Sequence, residues 1–478
     1  MSEERPTREG SAPPAIRRWA DPARLPDWLT AAVAFAIWRV FFPALMSKDS
    51  LDQYWQASTG QYNDWHPPLM AVVLKIVMAS GGAIGILMLA QCLAGVFGIR
   101  ALATSVLGTL HSGRIPPRRA AWISFLVLLV LLIPLTPLAF YLMTFWKDAW
   151  AMVFLLWIGS LSLDLLRLGP TRRRNLLLAV LGAALGLVRH NAVIVLPLIG
   201  LILWMGARRS ARPGRALLLA AAPLAICLAA TPLIDLVFGV ENLHTDSAVM
   251  ALDLVGLCAE SQSFCDRLPW TASHILDPAA LAQYRPGDIG FIFWDEPKHV
   301  DTSIRLDYPR LRAEYLRAVR ELPLPLARIK VKAFVTLLGI DQTAYFFQDS
   351  LLDNTYGLSM NVRFAPVRTR LIAWTRGAGE HPVLRWISGV HLAWIVVNVL
   401  WLAGLLALWF RSRKDGSRED RYRHLAIVLL LPFGYYGSYL LASPAHDFRF
   451  MYPATLLVQG VTLAWLLGWA GQSRSRTT

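Results

Sequence analysis

The sequence predicts an all-α polytopic membrane protein with about ten transmembrane helices and a mixed soluble domain on the outer face. Of its 478 residues, 55% are hydrophobic, 17% are charged and 19 are tryptophan. So apolar a composition is unusual for a soluble domain. Apolar runs of the length that crosses a bilayer recur along the chain, and short basic loops separate them. These observations favour a chain that crosses a membrane repeatedly.

Clusters of arginine predict which loops face the cytoplasm. The formal net charge is +15. Three short loops between apolar runs contain arginines without acids: Arg114, Arg118 and Arg119; Arg172, Arg173 and Arg174; Arg208, Arg209, Arg212 and Arg215. Short basic loops mark the cytoplasmic side of a membrane protein. Topology therefore explains the charge, and we expect no nucleic-acid partner.

Composition divides the chain into four segments. Residues 1–26 are polar and rich in Pro and Arg, which is typical of a cytoplasmic tail, and residues 27–238 contain most of the apolar runs. Residues 239–385 carry charges of both signs with Pro, Gly and Asn throughout, so we expect a soluble outer domain there. Residues 386–478 contain the last spans and a basic end, so we expect both termini in the cytoplasm.

The apolar runs predict ten spans. They cover residues 28–46, 83–107, 121–144, 149–166, 216–238, 386–410, 425–441 and 448–469, together with a hairpin in residues 176–205 that turns at 189–191. Residues 67–80 are too short to cross a bilayer, so we expect a re-entrant or interfacial helix. Basic residues beside an apolar face in 324–340 predict a helix on the membrane surface.

The loop after the first span is rich in titratable groups. It carries three acids and an imidazole: Asp49, Asp52, Asp64 and His66. Asp49 and Asp52 are three residues apart, so on a helical turn they share a face and can act as a base and its electrostatic partner. Pro67 and Pro68 can start a helix, because the first N–H groups of a helix have no partner. A solvated loop followed by a helix start explains the same residues.

The predicted topology gathers the polar residues of four separate segments on the outer face. They are Asp49, Asp52, Asp64, His66, Lys147, Asp148, Arg189, His190, His446, Asp447 and Arg449. Each alone fits a surface role; Arg449, for example, can pair with Asp447. Together they predict one outward-facing site. Carboxylates beside arginines suit an acceptor that loses a proton and a donor that leaves as a phosphate.

Cysteine placement agrees with this topology. Cys258 and Cys265 both fall in the expected outer domain, where an oxidising compartment permits a disulfide between them. Cys92 and Cys227 fall within spans. The sequence contains no Cys/His cluster with structural-zinc spacing and no Gly-rich phosphate loop.

Several of these motifs resemble the GT-C membrane glycosyltransferases, in particular the branch of dolichyl-phosphate-mannose protein mannosyltransferases and bacterial lipid-linked sugar transferases. The resemblance lies in an acidic first outer loop followed by His66-Pro67-Pro68-Leu69, then in Lys147-Asp148 in the second outer turn. It continues with Arg189 in a later turn and with the segment Asp447-Phe448-Arg449-Phe450-Met451-Tyr452-Pro453 at the start of the last span.

The resemblance implies inverting transfer of a sugar from a polyprenyl-phosphate donor to a lipid, glycan or protein acceptor, on the outer face of the plasma (inner) membrane. Asp49 is then the expected base, with Asp52 and Asp148 as the other catalytic candidates. The expected substrate-binding residues are His66, Lys147, Arg189, His190, Arg449 and Tyr452. The resemblance implies no definite cofactor and leaves a divalent metal open.

Two other classes of function fit parts of the sequence. A transporter or flippase would place ionisable groups at mid-span depth. The spans hold few of these: Arg39, Arg100, Asp164 and Asp235, each of which we expect near a span end or facing protein. A non-catalytic assembly scaffold would bind partners through the outer domain and would not need the first-loop acids.

The arginine pattern makes a topology prediction that labelling can test. We expect residues 47–66, 145–148, 189–191 and 239–385 outside the membrane and the basic loops inside. In intact cells, an impermeant thiol reagent should leave Ser112→Cys and Ser210→Cys unlabelled. Strong labelling of either variant would overturn the topology.

Overall fold

A computed structural model describes residues 24–111, 114–208, 213–340, 347–412, 416–443, 445 and 447–473. Several predicted features lie outside the described residues. They are most of the expected cytoplasmic tail and the positions Ser112, Arg209, Ser210, Arg212 and His446.

The described residues form eighteen α-helices of six residues or more. They are α1 (Leu25–Phe41), α2 (Lys48–Thr59), α3 (Leu69–Ala79), α4 (Ile84–Leu110), α5 (Pro117–Leu132), α6 (Leu138–Met143), α7 (Lys147–Leu168), α8 (Arg172–Val188), α9 (Leu196–Ala207), α10 (Pro213–Phe238), α11 (Asp246–Glu260), α12 (Tyr308–Glu321), α13 (Pro323–Leu337), α14 (Ala365–Glu380), α15 (His391–Arg411), α16 (Gly416–Val428), α17 (Leu430–Leu441) and α18 (Tyr452–Ser473). Shorter α-helices cover Gln262–Cys265, Pro269–Ser273, Ile289–Phe293, Ser303–Leu306 and Arg385–Ser388. Turns of 3₁₀-helix cover His190–Val195, Pro278–Gln283, Val362–Phe364 and Phe448–Phe450.

The chain is an all-α protein with the apolar helices of a multi-pass membrane protein. Seven helical stretches in the described part of the chain are long and apolar enough to cross a bilayer: Ile84–Leu110, Lys147–Leu168, His190–Ala207, Pro213–Phe238, His391–Arg411, Asp420–Leu441 and Tyr452–Ala470. The other three predicted spans correspond to α1, α5 and α8, which have 17, 16 and 17 residues. The prediction of an all-α membrane protein is confirmed at this level.

Prolines account for the differences from the predicted span ends. The predicted span 121–144 is broken, because α5 ends at Leu132 and Pro134 and Pro137 precede α6. Proline lacks the N–H that a continuing helix needs and disfavours helical geometry in the residue before it. In the same way α1 ends at Phe41, just before Pro43, and not at residue 46.

The segment 239–385 differs from the expected mixed domain. Its described residues contain helices and isolated bridges but no named strand, so the prediction of mixed structure was wrong. The Pro and Gly residues of this segment separate short helices. Its helices α11, α12 and α13 enclose a second core that includes Leu254, Leu311 and Ile329. Cys258 and Cys265 are disulfide-bonded at the edge of this core.

The rest of that segment packs against the first and larger core. Leu337, Leu338 and Phe347 are buried there with residues of α4, α7 and α18. The soluble segment predicted from composition is therefore shared between two cores. This sharing holds the second core against the ends of the apolar helices.

An extended stretch after α1 connects three distant parts of the chain. The Leu45 N–H donates to the Met143 carbonyl at 2.8 Å, and the Phe145 N–H donates to the Leu45 carbonyl at 3.0 Å. On its other side, the Met46 N–H donates to the Ser350 carbonyl at 3.2 Å. The start of α2 is consequently held beside the start of α7.

Close backbone packing at Gly200 gives a stability prediction. A Cβ at this position of α9 would lie 2.3 Å from the Ala220 carbonyl oxygen of α10. Backbone cannot move aside as a flexible side chain can, so Gly200→Ala should cost about 1–3 kcal/mol. The measurement is thermal unfolding of the purified protein in detergent.

Gly404→Ala is the matched control for that prediction. Gly404 lies within α15, and a Cβ there would have no atom of another helix within 4 Å in the described part of the chain. Alanine is favoured over glycine in a helix by roughly 1 kcal/mol, so this variant should unfold at an equal or higher temperature. Equal unfolding temperatures for Gly200→Ala and the wild type would refute the packing argument.

Candidate functional site

Local hydrogen bonds fix the direction of α2. Ser47 caps the helix, with the Ser47 N–H donating to Ser50 Oγ at 3.2 Å. Ser50 Oγ in turn donates to the Phe145 carbonyl at 2.8 Å, and Trp146 Nε1 donates to Ser47 Oγ at 2.9 Å. These side chains join the first turn of α2 to the first turn of α7. Asp49 therefore lies close to Lys147 and Asp148.

Arg449 lies at the centre of a group of carboxylates. Its Nη2 is 2.7 Å from Asp49 Oδ2, and its Nε is 2.6 Å from Asp447 Oδ2 and 4.0 Å from Asp148 Oδ2. Its Cζ also lies 4.8 Å from the ring centroid of Trp146. One guanidinium thus interacts with acids from α2, from α7 and from the segment before α18.

Arg189 and Asp148 form a second, deeply buried ion pair. Asp148 is fully buried and Arg189 is 7% exposed, and their charged groups are in direct contact. The Arg189 guanidinium lies 4.6 Å from the ring centroid of Phe450 and 5.6 Å from that of Tyr439. Aromatic faces are electron-rich and stabilise a cation over the ring. Asp148 therefore holds Arg189 in place and is not itself accessible.

Lys147 and His66 connect this ion-pair network to the segment between α2 and α3. Lys147 Nζ is 2.9 Å from His66 Nδ1. An ammonium group only donates hydrogen bonds, so Nδ1 accepts and the ring proton is on Nε2, which faces Asp49 Oδ1 at 3.7 Å. Burial, and then the charge of Lys147, lower the pKa of His66 to about 3. His66 is therefore neutral at physiological pH.

Asp49 stays ionised although it is partly buried. Burial raises its pKa, but the charges of Arg449 and Lys147 and the imidazole of His66 act in the other direction and prevail. The pKa of Asp49 consequently lies well below the ordinary range of an aspartate. Asp447 differs, because burial outweighs Arg449 and raises its pKa to about 6.

A cavity of about 540 Å³ opens over this cluster. The described residues that line it include four cations and two carboxylates: Lys147, Arg189, Lys330 and Arg449, and Asp49 and Asp246. Its apolar wall includes Trp65, Ile289, Trp294 and Leu441. The size is that of a small-molecule site. The excess of cations and the apolar wall suit an amphiphilic anion.

The structure brings together most of the predicted site residues. Asp49, His66, Lys147, Arg189, His190 and Arg449 line the cavity, and Asp148 and Asp447 lie directly beneath it in the ion-pair network. His190 is exposed at the cavity. His446 lies outside the described residues.

Three predicted residues do not line the cavity. Gln56 Nε2 donates to Asp52 Oδ2 at 2.8 Å, and burial raises the pKa of Asp52. Asp64 Oδ1 accepts from the Leu243 N–H at 2.7 Å, so this acid joins the first outer loop to the chain after α10. Tyr452 is fully buried, with its ring centroid 4.4 Å from that of Tyr141.

The second core supplies cavity residues that the sequence did not indicate. Lys330 Nζ lies 2.5 Å from Asp253 Oδ2 and donates to the Leu441 carbonyl at 2.7 Å. The sequence predicted that the helix carrying Lys330 lies on the membrane surface; in the structure this helix packs between the second core and α17. The sequence signal for Lys330 as a cavity residue was its position directly after the apolar residue Ile329, which is buried in the second core.

Comparisons with known proteins identify no relative. No family model, no curated protein and no solved structure matches the chain. Among the described residues, no group of three or more His, Cys, Asp or Glu is arranged to hold a metal ion.

The position of Arg449 predicts a large effect on stability. Arg449→Ala leaves Asp49, Asp447 and Asp148 without their shared cation. Breaking a buried ion pair costs about 3–5 kcal/mol, because a charge remains buried without a partner. We expect a marked drop in thermal midpoint, and partial recovery when Asp447→Asn is added to remove one of the unpaired charges.

Arg376→Ala is the control for the Arg449 variant. Arg376 also contacts a carboxylate, that of Asp349, but its side chain is 57% exposed. Exposed pairs contribute about 0–1 kcal/mol, so this variant should remain near the wild-type midpoint. Equal midpoints for Arg449→Ala and Arg376→Ala would show that the network does not stabilise the fold.

Proposed function

We propose that the protein is an inverting membrane glycosyltransferase of GT-C type. It transfers a sugar from a polyprenyl-phosphate donor to a lipid, glycan or protein acceptor on the outer face of the inner (plasma) membrane. One observation carries the proposal: an ionised carboxylate, Asp49, lines a cavity that also holds Lys147, Arg189 and Arg449 and has an apolar wall. Such a cavity offers a base, a phosphate site and a surface for an apolar chain.

The proposed reaction assigns each group a role. Asp49 accepts the proton of the acceptor hydroxyl, and the hydroxyl oxygen attacks the anomeric carbon of the sugar. The bond between this carbon and the phosphate oxygen breaks, and the prenyl phosphate leaves with the electron pair. Attack opposite the leaving group inverts the configuration. The cations of the cavity stabilise the charge that grows on the phosphate, and the proton on Asp49 passes to solvent.

The arrangement of helix ends supports a site at the membrane boundary. Lys147 begins α7 and Arg189 follows α8, so both lie at the same end of this helix pair. The arginines at residues 172–174 begin α8 at the other end. With α1, α5 and α8 added to the seven longer stretches, the chain has ten proposed spans with both termini in the cytoplasm. Helices of 16 or 17 residues can span where the bilayer is locally thin.

The positions of ionisable residues favour the enzyme over a transporter. A transport path needs such groups along the middle of the spans. Arg100 pairs with Asp27 of the first turn of α1 at 2.7 Å. Asp164 pairs with Arg167 near the end of α7 at 3.3 Å. The first pair joins α4 to α1 and the second lies within α7, so each of these charges has a partner of opposite sign.

Replacing Asp49 tests the proposal. Asp49→Asn removes the base, so transfer should fall by on the order of 100- to 10,000-fold. The measurement is a radiolabelled or mass-resolved assay with polyprenyl-phosphate sugars, on variants whose thermal midpoints are also determined. Near-normal turnover would show that Asp49 is not the base, and absence of transfer by the wild type with all donors tested would overturn the function.

Asp64→Asn is the matched control. Asp64 belongs to the same loop, but its carboxylate accepts from the Leu243 N–H and does not line the cavity. This variant should lose far less activity than Asp49→Asn. A loss of equal size would indicate that the shape of the loop, and not the base, limits the rate.

A further inference from the structure

An aromatic pair lines the cavity together with its charged residues. Trp65 comes from the segment between α2 and α3, Trp294 directly follows the short helix Ile289–Phe293, and both line the cavity. Their ring centroids are 6.2 Å apart and the rings are nearly perpendicular, with an interplanar angle of 78°. Trp294 is 55% exposed. A large indole left open to a concave site is typical of a ligand contact.

The pair lies close to the proposed reaction centre. Trp65 precedes His66, whose Nε2 is 3.7 Å from Asp49 Oδ1. His66 Nδ1 accepts a hydrogen bond from Lys147, which lines the cavity. Trp65 itself is fixed, because it packs against the second core and the Arg305 guanidinium lies 5.1 Å from its ring centroid. Trp294 is the more accessible of the two rings.

We propose that Trp294, supported by Trp65, is the contact surface for the sugar ring of the donor. This inference rests on the proposed glycosyl transfer. A neutral pyranose has C–H bonds with partial positive charge on one face, and the face of an indole carries partial negative charge. A sugar on this surface with its phosphate at Lys147 and Arg449 would place the anomeric carbon between the leaving group and Asp49. Trp294 then selects donors that carry a neutral sugar ring.

Two probes separate a sugar contact from a prenyl contact. Farnesyl phosphate carries the anion and an apolar chain, and glucosyl farnesyl phosphate adds a sugar. The wild type should bind the glucosyl compound more tightly than farnesyl phosphate. Trp294→Ala should weaken binding of the glucosyl compound roughly 3- to 10-fold, the range for an aromatic contact, and leave farnesyl phosphate unchanged. Trp294→Phe should retain most of the affinity for the glucosyl compound.

Trp374→Ala serves as the control. Trp374 is 62% exposed on α14 and does not line the cavity, so both dissociation constants should be those of the wild type. Equal weakening of both probes in Trp294→Ala would overturn the inference and assign the indole to the prenyl chain. Unchanged binding of both probes, or no preference of the wild type for the sugar, would also overturn it.

The same experiment distinguishes this inference from the proposed function. A sugar-specific loss of binding in Trp294→Ala supports the contact even if no acceptor receives the sugar. Absence of transfer would then count against the proposed function and not against the contact. Transfer that depends on Asp49 while Trp294→Ala binds both probes normally would support the function and refute the contact.

Discussion

The short backbone pairing between Leu45 and residues 143–145 is the constraint on which the site depends. Both segments lie between helices, where peptide groups have no partner within a helix. Buried N–H and C=O groups without partners are costly, above all in apolar surroundings. Gln91 Nε2 satisfies two further carbonyls of this region, donating to Leu142 and to Thr144 at 3.0 Å each. The peptide groups of the two helix breaks therefore hydrogen-bond to one another. This pairing brings the charged residues of both segments together.

The charges of the site are balanced by direct contact and by aromatic rings. Arg449 interacts with three carboxylates, and Arg189 pairs with Asp148. Buried ion pairs gain little net stability, because both partners lose their hydration. Their value in this fold is positional: the network fixes Asp49 at the edge of the cavity. The same contacts lower the pKa of Asp49, so they keep this carboxylate ionised and also make it a weaker base.

The convergence of the outer loops could be predicted from the sequence, because the length of an apolar span and the side of a basic loop place each loop on one face. Span lengths and basic loops predict that Asp49, Lys147, Asp148, Arg189 and Arg449 lie at one end of the helices, and there Arg449 contacts Asp49 and Asp148 while Arg189 contacts Asp148. Rotation about a helix axis does not follow from span lengths. Asp52 lies three residues after Asp49 on the same helix, yet its carboxylate accepts from Gln56 Nε2 and does not line the cavity. Lys330 lies on α13 and Trp294 follows the short helix Ile289–Phe293, and no periodicity relates them to the first loop. Whether the cluster performs transfer stays a prediction.

The wide separation of Asp49 and Arg449 along the chain has a consequence for biogenesis. A membrane protein is made from its N-terminus, and its early segments fold before later ones exist. Asp148 can meet Arg189 when α8 has been made, but Asp49 must wait for the segment that precedes α18. Until then Asp49 at the start of α2 lacks its main counter-ion. Asp49 therefore gains this counter-ion late in synthesis, and the ion-pair cluster is complete only when the segment before the final helix has been made.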